Sequence, residues 1–202
     1  MCKEIIVIGS GGHAKVVIDC IRCAGDKIRG ILDDEMPAGT QLLGIPVLGD
    51  VDAYVNYPDC QFIIAIGDNA VRKSIAKKLN VQWYTAIHPS AVVSEFATVG
   101  EGSMILPNAV INSCAAVGKH CIINTASVVE HDSVIGNFAH ISPKAALAGH
   151  VTVGALTQVG IGASVRQNIT ICGGCLIGAG AAVVKDIAEA GVYAGVPAKK
   201  LY

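Results

Sequence analysis

Large aliphatic residues return every six positions along the second half of the chain. The series is Ile87, Val93, Val99, Ile105, Ile111, Val117, Ile123, Val129, Ile135, Ile141, Leu147, Val153, Val159, Val165, Ile171, Ile177 and Val183. All seventeen are aliphatic and sixteen are β-branched. Four residues after each, the side chain is usually small, as at Ala91, Ser103, Ala109, Cys121, Ser127, Ala145 and Ala181, with Val151 and Ile169 as larger exceptions. Gly often follows the aliphatic residue, as at Gly100, Gly118, Gly136, Gly154, Gly160 and Gly178. A six-residue period fits neither the 3.6-residue turn of a helix nor the alternation of an amphipathic strand. It predicts a solenoid of short parallel strands joined by tight turns. The large residue points inward and the small one sits where the chain bends. The register is unbroken, so no long loop interrupts the prism.

The first half has a different rhythm. Glu4 to Ile8 is a short apolar strand that runs into Gly9-Ser10-Gly11-Gly12-His13-Ala14. Lys15 to Ala24 has helical spacing. A second strand, Ile28 to Leu32, ends in Asp33-Asp34; a third, Phe62 to Ile66, ends in Gly67-Asp68-Asn69 before a helix from Ala70 to Leu79. Strands alternating with helices predict a parallel sheet, and ligands bind at the carboxyl ends of such strands. The glycine stretch satisfies G-x-G-x-x-A, in which amides at a helix N-terminus hold pyrophosphate. A dinucleotide site, and hence an NAD-binding oxidoreductase, is therefore one reading. Only about 80 residues precede the repeat, half of a doubly wound fold. A nucleotide diphosphate carrying a sugar uses the same phosphate chemistry with less protein. The predicted organisation is α/β followed by β: a small Rossmann-like domain over residues 1–84 and a β-helix with a C-terminal tail over 85–202. Trp83 and Tyr84 mark the junction, and the first domain is expected to cover the open end of the first coil.

Composition narrows the function classes. The net charge of −1 offers no basic footprint for nucleic acid or a membrane surface. The uncharged run Ala145 to Val165 is long enough to span a bilayer, but its glycines and polar residues argue against a transmembrane helix. The N-terminus shows no secretory pattern. Eight cysteines without export point to reduced thiols in the cytoplasm. The pairs Cys20/Cys23 and Cys172/Cys175 fall in segments of different type, so no zinc site and no other metal is expected.

The combination of Gly9-Ser10-Gly11-Gly12-His13-Ala14-Lys15-Val16-Val17, Leu32-Asp33-Asp34, Ile64-Ala65-Ile66-Gly67-Asp68-Asn69, the hexapeptides around Asn124 to Asp132, and Gly195-Val196-Pro197-Ala198-Lys199 covers essentially the whole chain. It resembles the sialic acid O-acetyltransferase-like sugar acyltransferases, which include bacterial nucleotide-4-amino-sugar N-acetyltransferases. The resemblance implies a left-handed parallel β-helix of hexapeptide repeats. It implies a cytoplasmic, acetyl-CoA-dependent N-acetyltransferase of glycan biosynthesis, acting on a nucleotide-linked amino sugar such as a 4-amino-4,6-dideoxy sugar. His131 matches the general base and Asp132 the acidic residue after it. His140, Gly149 and Ile161 match acetyl-CoA contacts. Gly11, Gly12, His13, Asp33, Asp34 and Gly67 match the nucleotide-sugar site. Sugar O-acetylation remains the near alternative, since the same base serves a hydroxyl; a non-catalytic scaffold is a more distant one.

The chemistry agrees. Acyl transfer from a thioester to an amine needs a base for the amine proton, and imidazole titrates near neutral pH. His131 and His140 are half a coil apart, on different faces of one prism, so they serve one site only between neighbouring chains; a homotrimer is expected. His88 is expected to be structural and His120 to lie at the surface. His150, 18 residues after Asp132, is a candidate partner for that carboxylate or an extra polar contact in the CoA cleft, and Gly149, one coil above His131, is expected to leave room above the base for the acyl group or the CoA arm.

Overall fold

The computed structural model describes residues 4–201. Six strands form the first sheet: β1 (Ile5–Ile8), β2 (Ile28–Leu32), β3 (Gln41–Leu42), β4 (Ile45–Gly49), β5 (Gln61–Ile64) and β6 (Gln82–Trp83), in the spatial order β3-β4-β2-β1-β5-β6. All neighbours are parallel except the β3–β4 hairpin. Every residue of β1 is buried, as a central parallel strand packed on both faces requires. Helix α1 (Gly12–Cys23) starts three residues before the predicted Lys15. Gly12 and His13 are weak helix formers, so spacing alone did not show this first turn. Helix α2 (Asn69–Lys78) is capped by Asp68, whose carboxylate accepts from the amides of Ala70 and Val71 at 2.8 Å. The β3–β4 hairpin carries no periodic signal, because Gly44, Pro46 and Gly49 interrupt it.

Beyond Tyr84 the chain winds into a prism with three parallel faces. Face I stacks Ala86–Ile87, Met104–Ile105, Ile122–Ile123, His140–Ile141, Gln158–Val159 and Leu176–Ile177. Face II runs from Val92–Val93 to Ala182–Val183 and face III from Thr98–Val99 to Thr170–Ile171. Neighbouring strands pair 18 residues apart, Ile105 with Ile123 and Val129 with Leu147. The inward aliphatic residues form one continuous core with the small residues of the bends. Buried hydroxyls stitch successive coils: Ser103 donates to the Gly118 carbonyl at 2.8 Å and accepts from the Cys121 amide at 2.9 Å. Gly136 is needed because a Cβ there would meet the Ala155 amide of the next coil at 2.5 Å.

The corners explain the six-residue register. Every sixth residue from Gly102 to Gly180 has positive φ. Asn108, Asp132 and Asn168 suit that conformation; Phe138 and Leu156 do not. The strain is offset by hydrogen bonding. From His120 to Gly180, each of these residues donates its amide to a carbonyl of the coil below, as Asp132 does to Ser113 at 3.1 Å.

The α/β domain does not cover the open end of the first coil; it lies along the flank of face I. Val17, Ile18 and Ile21 of α1 share one buried cluster with Ala86, Met104, Leu106 and Ile122, while Ile87 of the first coil stays 39% exposed. The flank is the longer apolar surface, because the outward residues of three successive coils there are apolar. The junction residues pack as the chain crosses over. Trp83 meets the His120 ring edge-on at 4.7 Å, and Tyr84 Oη donates to Asp26 at 2.6 Å. His120 is therefore not at the surface: it is 4% exposed, stacked on Phe138 at 5.2 Å. His88 does play a structural part, its Nδ1 meeting the Ser90 hydroxyl at 2.8 Å.

Arg72 of α2 locks the two domains and is fully buried. Nε donates to the His120 carbonyl at 2.8 Å and Nη2 to the Phe138 carbonyl at 2.9 Å, one coil higher. Nη1 donates to the carbonyls of Ile66 and Gly67, and Nη2 also to Asn69 Oδ1 at 2.8 Å. Asn69 in turn donates to the Leu156 carbonyl at 3.0 Å. Burial pulls the Arg72 pKa down to about 10, so the group stays charged at neutral pH. Arg72→Ala is expected to lower the free energy of urea unfolding by about 3 kcal/mol or more, since each buried acceptor left unpaired costs about 1–3 kcal/mol. Arg72→Lys recovers only part, because an ammonium cannot present the guanidinium fork. Trp83, the sole tryptophan, supplies a fluorescence readout at the interface itself.

Candidate active site

A cavity of about 390 Å³ opens at the carboxyl ends of β1, β2 and β5. Gly11, Gly12, His13, Asp33, Asp34 and Gly67 all line it. Helix α1 points its N-terminus at this space. Gly11 supplies no side-chain cap and no acid lies in the first turn, so the terminus is free to receive an anion. Neither Gly11 nor Gly12 has a neighbour within 4 Å of a built Cβ. The two aspartates mainly build the rim. Asp33 Oδ1 accepts from the amides of Glu35 and Met36 at 2.9 and 2.8 Å. Burial raises the Asp33 pKa, but these bonds and those from Ser10 outweigh it and hold the group below the usual range. Asp34 Oδ1 accepts from the Val51 amide at 2.9 Å.

Two of the site histidines meet at the domain interface. The His13 and His140 rings lie 6.4 Å apart. His140 Nε2 is 2.9 Å from Asn124 Nδ2, an arrangement that makes Nε2 an acceptor and places the ring proton on Nδ1. Burial, reinforced by Arg72 and His13, lowers the His140 pKa to about 3. Burial and then Arg72 lower His13 to about 4. Both are neutral at pH 7, and His13 Nε2 is buried without a hydrogen-bond partner among the described residues.

The third cluster stands on the corner between faces II and III. His131 Nδ1 is 2.8 Å from Asp132 Oδ2. The bond from His131, with the nearby His150, holds the Asp132 carboxyl below its ordinary range. An ionised Asp132 accepts the Nδ1 proton, which leaves Nε2 as a free base. The cluster is open to solvent. Gly149 lies one coil above, where a Cβ would meet His131 Cε1 at 2.5 Å and Nε2 at 2.6 Å. The room that Gly149 leaves is thus filled by the imidazole itself, not kept empty above it for an acyl group. Ile161 stands on a different corner, between faces I and II, and is 55% exposed. Within one chain, then, His131 and Ile161 belong to separate edges of the prism, and His140 to a strand of face I. Arg72, Asn69 and Asn124 escaped sequence reasoning: the first two act on backbone carbonyls, which no side-chain pattern advertises.

Residues 4–79 match the family model described as the PglD N-terminal domain. The acetyltransferase domain of PglB from Neisseria gonorrhoeae superposes with a TM-score of 0.92 at 35% identity, covering 98% of this chain and 100% of that one. PerB from Caulobacter crescentus, solved with CoA and GDP-perosamine, gives 0.93 at 38% identity over 99% and 98%. The chain belongs to this family of sugar N-acetyltransferases. A UDP-N-acetylbacillosamine N-acetyltransferase of Bacillus subtilis is 39% identical over 111 residues, 52% of this chain and 51% of that protein; the match spans about half of that curated relative. No helix among the described residues is long and apolar enough to cross a membrane.

The buried histidines make stability depend on pH. Burial lowers His120 to about 4, as it does His13, with His140 lower still, all below the ordinary 6.5. The native state therefore binds fewer protons than the unfolded chain. The stabilisation is complete above pH 6.5 and is lost as pH falls toward the folded values. By pH 5 each of these rings is expected to cost up to about 2 kcal/mol, less where the ring is partly exposed. Urea unfolding at pH 7.5 and 5 measures the loss, and His120→Phe, which cannot take a proton, should show a smaller one.

Proposed function

We propose that the chain transfers the acetyl group of acetyl-CoA to the amine of a nucleotide-linked amino sugar, a 4-amino-4,6-dideoxy sugar of bacterial glycan synthesis, with His131 as general base. The observation that carries this reading is the His131–Asp132 bond, which frees Nε2 on an exposed corner. The nucleotide-type cavity at the helix N-terminus supplies the second half of the requirement. The complex of the Caulobacter relative with CoA and GDP-perosamine supports both substrates.

In the proposed step the sugar amine attacks the thioester carbonyl. His131 Nε2 takes the amine proton as the C–N bond forms, and the C–S bond breaks to release CoA. Asp132 stabilises the imidazolium and fixes its tautomer. No acyl-enzyme is needed, because the thiolate is already a good leaving group. His13 and the α1 terminus receive the diphosphate side of the acceptor, with Gly11, Gly12 and Gly67 giving the backbone close approach.

The placement of His131 and Ile161 on separate edges, with His140 on face I, supports a homotrimer. In that arrangement the cleft between two prisms takes His131 from one chain and the acetyl-CoA contacts His140 and Ile161 from the next. Light scattering of the active enzyme at three chain masses is expected; an active monomer removes this arrangement. The seven described cysteines are all free, which supports a reducing, cytoplasmic setting. The dinucleotide reading loses support because Asp33 commits its carboxylate to its own loop.

A thiol-release assay with acetyl-CoA and a panel of nucleotide sugars tests the proposal. CoA release should depend on an amino-sugar acceptor, and His131→Ala should lower kcat by about 10²–10⁴-fold. Release with hydroxyl acceptors alone identifies the O-acetylation reading instead. Gly149→Ala should leave the melting temperature nearly unchanged yet displace the His131 ring. Misplacement of a catalytic group by about 1 Å costs up to about 10²-fold, so its kcat should fall while the nucleotide-sugar affinity holds.

A further inference from the structure

His150 stands on the same corner as Asp132, one coil higher. Both residues are in the left-handed conformation, with φ of 57° and 58°. His150 Nε2 lies 3.5 Å from Asp132 Oδ2, the same oxygen that His131 Nδ1 contacts at 2.8 Å. The two imidazoles meet edge-on, centroids 5.5 Å apart at 88°. The His150 amide donates to the His131 carbonyl at 3.0 Å. The backbone of one coil thus clamps the backbone of the other beneath this shared carboxylate.

We propose that His150 is a positioning residue that controls the catalytic base through Asp132; this rests on the acetyltransfer reading above. One carboxylate oxygen serves two rings. His150 presents Nε2 to Asp132 at 3.5 Å and holds the carboxylate in the orientation that His131 needs. Protonated His150 draws the same oxygen toward itself and adds a positive charge 5.5 Å from the base. The pull of Asp132 on His131 then weakens and the imidazolium that forms in the reaction is less stabilised. Acid then has a second group to act on besides the base itself. The titratable groups facing His150 are Asp132 and His131. Glu130 faces the His131 amide, at 3.4 Å. At the same corner Cys114 is the residue one coil below Asp132, and Asn168 the residue one coil above His150.

The test compares wild type, His150→Ala and His150→Gln with an amino-sugar acceptor from pH 5.5 to 9. His150→Ala should lower kcat about tenfold with KM for acetyl-CoA unchanged. His150→Gln keeps an N–H donor for Asp132 but cannot titrate. It should recover most of the kcat lost in His150→Ala, and the acid limb of log kcat/KM should fall with a slope of one, against a steeper fall in wild type. In parallel, NMR of the His131 ring should show a changed ring environment in His150→Ala that His150→Gln restores. Coincident pH profiles in all three proteins overturn the proposal. So does a His150→Ala variant that raises KM for acetyl-CoA at constant kcat, which marks a ligand contact instead. The NMR arm needs no turnover: if wild type releases no CoA with any acceptor, the acetyltransfer reading fails, while the coupling of the two rings is still read.

Discussion

A single guanidinium holds this protein in its working shape. Arg72 has five N–H donors and all five are used. Two of them count coils, reading the His120 and Phe138 carbonyls one coil apart, and Asn69 continues the ladder to Leu156. Those carbonyls belong to left-handed corner residues. The same side chain closes the loop from Ile66 to Gly67 that lines the nucleotide-type cavity. Its charge then helps to keep His13 and His140 neutral. Domain orientation and cavity shape thus share one anchor, which also adds to the burial that keeps the interface histidines neutral.

The corners divide the labour of the prism. One edge is gripped by α2 through Arg72 and Asn69. A second carries the His131, Asp132 and His150 cluster. The third carries Ile161. Each edge repeats the same backbone, so chemistry arises only where the side-chain column departs from small or solvated residues. At His131 the departure depends on its neighbours as much as on itself, since Gly149 clears the volume the ring occupies.

Much of this was legible in the chain. The six-residue period is readable because each inward position sees the same core and so selects the same β-branched chemistry. The cavity is readable because Gly9 to His13, Asp33-Asp34 and Gly67 fall at strand ends. The docking of the first domain was not readable. Its polar anchors, Arg72 and Asn69, donate to backbone carbonyls, and backbone carries no residue identity. His120 misled for a related reason. Corner residues are solvated by default, and only the folded arrangement brings Trp83 and Phe138 against this one. Gly149 was placed on the right coil, but whether its missing side chain leaves space for substrate or for His131 depends on the imidazole's rotamer, which spacing does not specify.

The flank docking turns the prism into a ruler. Coils are spaced by about 4.8 Å, and the unbroken register forbids fractional steps. The separation between the cavity at α1 and a catalytic residue on a corner therefore takes discrete values. Moving a base by 18 residues shifts it one graduation along the axis, and moving it by six turns it to another edge. A change in that separation therefore comes only in whole graduations, with no change to the scaffold between them.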